Sequence, residues 1–272
     1  MRPNALKRLF AEGKSAVNGW LHIPSSVSVE VMAHQGFDSL TIDMQHGLAM
    51  VESSLAMLQA MSTTNVTPLA RVPWNEPGVI MKMLDLGCYG IICPMVNSRA
   101  ECEAFVGACR YPPLGYRSYG PTRVTYYAGA DYPAHANDEV LTFAMIETAA
   151  ALGNLDAIAS TPGLDGLYVG PADLSQSLGG KPGADFTEGP VPKALETILA
   201  AAKKHNLVAG LHNGSAAYAK AMTEKGFQLV TVQSDLGFLA KEAANVVKSV
   251  KSKSVKDNAI KGSADTQTSS PY

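Results

Sequence analysis

The chain has 272 residues, 46% of them apolar and 17% charged, with a net charge of −2. That balance supplies a large core and excludes the basic surfaces that bind nucleic acid or membranes. No apolar run approaches the roughly 18 residues of a membrane-spanning helix, and the opening MRPNALKRLFAEGKSA lacks a signal-peptide core, so a cytoplasmic protein is expected.

Short apolar runs alternate with helical patterns along the whole chain. Strands are predicted at 16–23, 38–43, 66–71, 90–93, 140–147, 166–169, 207–211 and 228–232. Helices are predicted at 52–62, 77–86, 98–109, 148–160, 190–205 and 215–225, joined by Gly, Pro, Asn and Ser. Strand-then-helix units in this order imply a parallel sheet, and eight of them at this length favour an α/β fold of the (β/α)8 TIM-barrel kind. An open doubly wound sheet would need a glycine-rich dinucleotide loop after the first strand, and LHIPSSVS has none. Residues 1–252 are read as one barrel domain and 253–272 as a polar, mobile C-terminal tail. The segment 111–138 is long for a connection and rich in Tyr, Pro and Gly, so a functional role is expected. Cys88, Cys93, Cys102 and Cys109 show no zinc spacing and read as small buried hydrophobes.

In such barrels chemistry gathers where strands end. The predicted ends carry Asp43-Met44-Gln45-His46, Arg71, Glu147, Gly170-Pro171-Ala172-Asp173 and Leu211-His212-Asn213. Glu147 shares a face with Phe143 and Met145, where an acid is costly unless paired or metal-bound. Glu147 and Asp173 together suit an oxygen-only site for a hard divalent cation, Mg²⁺ or Mn²⁺. From the residues alone, Asp173 also reads as a helix N-cap and Glu147 as a partner of Arg71. Arg71 reads either as a fork for a carboxylate or enolate oxygen, or as an ion pair with Asp43 or Glu147. Asp43 is placed to orient His46 for acid–base work, and His46 alone would read as a satisfied histidine. The backbone of Gly170 and Ala172 offers N–H groups to an anion, whereas Pro171 has none. No lysine stands at a predicted strand end, which argues against Schiff-base chemistry, and neither G-x-S-x-G nor a P-loop occurs.

The stretches FDSLTIDMQHG, ARVPWNEP, GYRSYGPTR, MIETAAALGNLDAIASTPGLDGLYVGPADLSQSLG and VTVQSD closely resemble the metal-dependent (class II) pyruvate aldolase family. That family includes 4-hydroxy-2-oxoheptanedioate and 2-keto-3-deoxy sugar-acid aldolases. The resemblance covers roughly residues 5–250. It implies a phosphoenolpyruvate/pyruvate-type barrel with its last helix often exchanged between subunits, and a homo-oligomer, often a hexamer built as a trimer of dimers. It implies a divalent metal on Glu147 and Asp173, with Co²⁺ as a further option. Arg71 would hold the pyruvate oxygens, and His46 with Asp43 would be the acid–base dyad. The Gly170–Ala172 segment would bind the pyruvate carboxylate, and Gln45, Leu211 and His212 would complete the substrate wall. Residues 116–123, with Tyr116, Arg117, Tyr119 and Arg123, would lie near the aldehyde. Two positions depart from the family pattern: Met145 stands where many members have Gln, and Gln45 where many have Glu. The implied activity is reversible cleavage of a 4-hydroxy-2-keto acid to pyruvate and an aldehyde. Another carbon–carbon lyase on the same enolate, such as an oxaloacetate decarboxylase or a macrophomate-synthase-like enzyme, and a non-enzymatic keto-acid-binding barrel are the alternatives.

Overall fold

The computed structural model describes residues 1–251. Eight parallel strands close in sequence order into one barrel: β1 (Ala16–Leu21), β2 (Ser39–Asp43), β3 (Thr67–Arg71), β4 (Gly90–Cys93), β5 (Leu141–Ile146), β6 (Gly166–Val169), β7 (Val208–Asn213) and β8 (Leu229–Ser234). Pairing of β1 with both β2 and β8 seals the sheet. The barrel unit spans Met1–Leu236, and the described residues from Gly237 form a second unit within the helix Asp235–Lys251. The expected tail, 253–272, lies outside the described residues.

Strand alternation divides the side chains into two layers. Leu40, Ile42, Ala70, Ile91, Ala144, Ile146, Leu167 and Val169 face outward and form the main core beneath the helices. Trp20, Leu69, Ile92, Phe143, Met145, Tyr168 and Leu229 face inward and fill the barrel, with Leu6 of the helix Ala5–Ala11 packed into the same cluster. A polar group is also buried inside. Asn18 donates from Nδ2 to Thr231 Oγ1 at 2.9 Å and accepts at Oδ1 from Ser39 (2.8 Å) and Thr41 (3.0 Å). Each polar atom there has a partner, which is what makes its burial tolerable.

All eight strands stand where the alternation predicts them, with ends shifted by a residue or two. Several helices lie outside the predicted ranges; for two of them, Ala5–Ala11 and Ser26–Ala33, the sequence signals are the side-chain caps Asn4 and Ser25. The predicted helix 148–160 breaks into Ala149–Gly153 and Leu155–Ala159 at Asn154, whose side chain donates to the Asn97 carbonyl at 2.8 Å. The four cysteines are free thiols in the core.

The segment 111–138 is a packed structural feature rather than an open functional loop. It holds the helices Arg123–Ala128 and Tyr132–Glu139, and Tyr111, Val124 and Tyr132 form a satellite core with Tyr89. Arg117 is fully buried there. Its guanidinium donates to Asp85 Oδ1 at 2.7 Å and to the Tyr132 hydroxyl at 2.9 Å, and lies 4.4 Å from the Tyr111 ring centre. Removing a buried partner of this kind strands a charge and costs on the order of 3 kcal/mol. Arg117→Ala should lower the unfolding free energy by about that amount in urea titrations; a loss within 0.5 kcal/mol, roughly the spread of an ordinary surface change, would show the cluster to be dispensable.

Candidate active site

The C-terminal ends of the strands surround a cavity of ≈ 470 Å³. His46, Arg71, Glu147, Gly170, Pro171, Ala172, Asp173 and His212 all line it, so eight side chains or backbone segments singled out from the sequence meet in one place. Asp43 lies directly behind the wall. Gln45 and Leu211 do not line the cavity.

Asp43 is wholly buried, and three groups converge on its carboxylate. Arg71 binds it with two parallel bonds, Nε to Oδ1 at 2.8 Å and a terminal nitrogen to Oδ2 at 2.7 Å. The strand register puts the two residues opposite each other on β2 and β3, which fixes the fork geometry. His22 Nε2 lies 3.1 Å from Oδ2. The backbone N–H groups of Gln45 and His46 donate to Oδ1 at 3.1 and 3.4 Å. Burial alone would raise this acid's pKa, but hydrogen bonds from His22 and Arg71 outweigh it and hold Asp43 far below the usual carboxylate range. Asp43 is therefore ionised at any working pH.

This geometry corrects the expected His46–Asp43 dyad. Asp43 meets His46 through its backbone N–H, and the imidazole that reaches the carboxylate belongs to His22. The turn after β2 aims the exposed His46 ring at the cavity instead. Arg71 is at once an ion-pair partner of Asp43 and a wall of the cavity, with its guanidinium carbon 4.9 Å from the Trp20 ring centre. Both readings of Arg71 describe the same side chain.

Glu147 follows β5 on the inward parity of Phe143 and Met145. Its Oε1 accepts a 2.7 Å bond from the N–H of Met95, a residue held at φ 56°. A non-glycine residue in that region is strained by roughly 1–2 kcal/mol, and here the strain aims an N–H at the acid. Its Oε2 faces Gly170, where an added Cβ would come within 2.2 Å. Glycine at 170 is thus required by the acid across from it. Burial is the main force raising Glu147 to a pKa of about 7; the Met95 N–H opposes it, and Asp173 adds to it. Asp173 sits in the first turn of the helix Pro171–Ser177, where Gly170 occupies the N-cap position. The N-cap reading of Asp173 is therefore incorrect, and its side chain is exposed toward the cavity.

The donor set fits a hard divalent ion. Two carboxylates close enough to repel, one of them buried, face a cavity large enough for water and substrate oxygens. Among the described residues no group of three or more His, Cys, Asp or Glu converges as a closed metal cage. An open coordination sphere completed by substrate is what two acids alone can provide.

Deeper in the mouth, His212 packs edge-on against Trp20 at 5.1 Å, and its Nδ1 is 3.5 Å from the Tyr168 hydroxyl. Burial, helped by Arg71, depresses its pKa to about 4, so the ring is neutral at pH 7. The expected substrate contact at the neighbouring Leu211 is corrected by parity. Leu211 is fully buried in the outer core because consecutive strand residues point to opposite sides. Gln45 is likewise turned from the cavity, with its Oε1 buried and unpartnered by protein. Residues 116–123 also stay outside the cavity. Arg117 serves the satellite core, Arg123 caps the Leu86 and Leu58 carbonyls, and Tyr116 donates to Ala104.

Sequence reasoning missed Trp20, His22, Met95 and Gln233. Trp20 and His22 share the inward parity of Asn18 on the first strand, a signal that a complete survey of strand ends would have caught. Gln233 was missed because β8 runs two residues past its predicted end at 232. Nothing in the sequence marks Met95. The stretch 179–189 also contributes: Gly183 and Ala184 reach the cavity, held by Asp185 accepting from the Gly214 N–H at 2.7 Å.

A closed barrel with a guanidinium, paired acids and imidazoles around one small cavity defines an enzyme for a small polar substrate. The chain belongs to the HpcH/HpaI aldolase/citrate lyase family, whose model matches residues 19–242, and it is a carbon–carbon lyase of that family. It is 38% identical over 244 residues to a hydroxypyruvate/pyruvate aldolase of Rhizorhabdus wittichii, covering 90% of this chain and 97% of the relative. It is 35% identical to a 5-keto-4-deoxy-D-glucarate aldolase of Shigella sonnei over 86% of this chain and 92% of that one. The crystal structure of an HpcH/HpaI aldolase/citrate lyase family protein from Burkholderia cenocepacia J2315 superposes with a TM-score of 0.85 at 30% identity, covering 92% and 100% of the two chains. No helix among the described residues is long and apolar enough to cross a membrane.

The raised Glu147 pKa has a definite sign for stability. Between its unfolded value of 4.5 and about 7, the native state holds a proton that the unfolded state releases. Stability is then full below 4.5 and falls as pH rises through 7, with a slope approaching about 1.4 kcal/mol per pH unit. In chelator, urea titrations from pH 5 to 8 should show this decline in the wild type and its loss in Glu147→Gln. Parallel curves for the two proteins would mean that Glu147 titrates normally.

Proposed function

We propose that this enzyme is a metal-dependent aldolase that reversibly cleaves a 4-hydroxy-2-keto acid into pyruvate and an aldehyde. The observation that carries the reading is the Arg71 guanidinium, locked by Asp43 and lining the same cavity as Glu147 and Asp173. The named activities of the two relatives, both aldolases of keto acids, support it.

A divalent ion, Mg²⁺ or Mn²⁺ and also Co²⁺ by ligand preference, would be held by Glu147 and Asp173 and would polarise the 2-keto group as a Lewis acid. Arg71 offers its remaining N–H donors to the keto oxygen, where negative charge grows as the enolate forms. Because Asp43 and Trp20 fix the guanidinium beforehand, little reorganisation accompanies that step. The backbone at Gly170 and Ala172 receives the substrate carboxylate. Gly170 suits this role because it carries no side chain between the acid and the substrate. The 4-hydroxyl proton needs an acceptor on the cavity wall, where His22, His46 and His212 stand.

The reading includes a homo-oligomer, a trimer of dimers. Exposed Phe238, Leu239, Val246, Val247 and Val250 on the last helix support association. A cytoplasmic setting is supported by the four unpaired thiols.

The test is a panel of 4-hydroxy-2-keto acids, scored for pyruvate with chelator and with metal restored. Asp173→Ala should abolish metal-dependent release, and full activity of that variant in chelator would overturn the metal assignment. Arg71→Ala should reduce turnover by roughly 10²–10³ even at saturating metal, the loss typical of an aimed charge-stabilising donor. Unchanged turnover would show that Arg71 serves only the fold.

A further inference from the structure

We infer that His22, paired with Asp43, is the group that takes the proton from the substrate's 4-hydroxyl; this rests on the aldolase reading above. Several observations converge on it.

The first is the ring's anchor. His22 Nε2 is 3.1 Å from Asp43 Oδ2, and Asp43 is fully buried and bound at the same time by both arms of Arg71. An ionised carboxylate only accepts hydrogen bonds, so Nε2 must carry the proton. In the neutral ring the lone pair is then on Nδ1, which is the acceptor a base needs. The carboxylate sets the tautomer and stabilises the imidazolium once it forms.

The second is placement. His22 lines the cavity beside Arg71, with its side chain 28% exposed. Its backbone is pinned on both sides: its N–H donates to Asp235 Oδ1 at 2.8 Å, and its carbonyl accepts from the Leu48 N–H at 2.9 Å. Asp235 in turn accepts from Ser28 Oγ at 2.8 Å. A base held this firmly keeps its distance to the substrate.

The third is the contrast with the other histidines. His46 is exposed on a turn, and its only tie to Asp43 runs through the backbone. His212 is deep in the mouth and faces the Tyr168 hydroxyl. Of the three, only His22 combines a carboxylate-set tautomer with an open face on the cavity.

The step balances. The 4-hydroxyl proton moves to Nδ1, the C4–O bond becomes a carbonyl, and the C3–C4 electron pair stays on C3 as the enolate of pyruvate. The imidazolium then returns its proton to C3, giving pyruvate and the free base.

Oxaloacetate provides the internal control, because its decarboxylation forms the same enolate without deprotonating a hydroxyl. The experiment measures pyruvate release from 4-hydroxy-2-oxopentanoate and from oxaloacetate, with Mg²⁺ or Mn²⁺, for the wild type, His22→Gln, His22→Asn and His46→Gln. In the His22 variants the ratio of cleavage to decarboxylation should fall roughly 10²–10⁴-fold. The acidic limb of the kcat/KM profile for cleavage should disappear with it. His46→Gln should lower that ratio by less than the His22 variants do and keep the limb. A His22 variant with an unchanged ratio, or a collapse confined to His46→Gln, overturns the assignment while leaving the aldolase reading intact. A wild-type enzyme that releases no pyruvate from 4-hydroxy-2-oxopentanoate, or from any of the panel above, overturns both.

Discussion

The buried carboxylate of Asp43 is the constraint on which the site depends. An acid with no solvent exposure is costly unless every lone pair is occupied. Here the fork of Arg71 takes both oxygens, His22 meets Oδ2 as well, and the amides of the following turn meet Oδ1. The same contacts that make the charge tolerable also fix three functional elements at once: the guanidinium on β3, the imidazole after β1, and the turn that carries His46. None of these could be moved alone without leaving a buried charge unmatched.

The two acids of the mouth illustrate how surroundings separate chemically identical groups. Asp43 has a cation against it and stays ionised. Glu147 has a backbone N–H, a second acid and an apolar wall, and Arg71 is already committed elsewhere. It retains a proton up to about pH 7. A carboxylate in that position is incomplete without positive charge, and Asp173, whose charge acts on it, is placed to share one. The asymmetry divides the mouth into one side whose charge is matched and one whose paired acids suit a cation. Diverging carboxylates of this kind are a common mark of sites that move protons and charge.

How much of this was legible in the sequence follows from the period of a strand. With alternate residues facing inward, Phe143-Ala144-Met145-Ile146-Glu147 announces an acid in the barrel, and Thr67 to Arg71 announces a cation on the same side. The same rule, applied to Leu211 and His212, would have rejected the leucine, which faces the helices. It would also have found His22 four residues beyond Asn18. What alternation cannot reveal is where a turn sends the chain. Met95 earns its place by a left-handed backbone conformation, and the 179–189 stretch reaches the mouth through a bond from Gly214 to Asp185. The aromatic-rich segment 111–138 misled for a related reason. Tyr and Arg are as suited to a buried cation–aromatic cluster as to a binding loop, and only the tertiary position of Asp85 decides between them.

Catalysis in such a barrel requires that charge be stabilised where it develops and that a proton be removed one carbon bond away. The strand order supplies both without long-range motion. β2 and β3 present a fixed guanidinium, β5 and β6 present the acids, and the end of β1 places His22 against the carboxylate that already orients Arg71. In the proposed reaction Asp43 would thereby couple the group facing the enolate oxygen to the group facing the hydroxyl. On that proposal, proton uptake on His22 would strengthen its bond to Asp43 just as negative charge grows in front of Arg71. One buried acid thus holds both the guanidinium and the imidazole to which the two halves of the bond-breaking step are assigned.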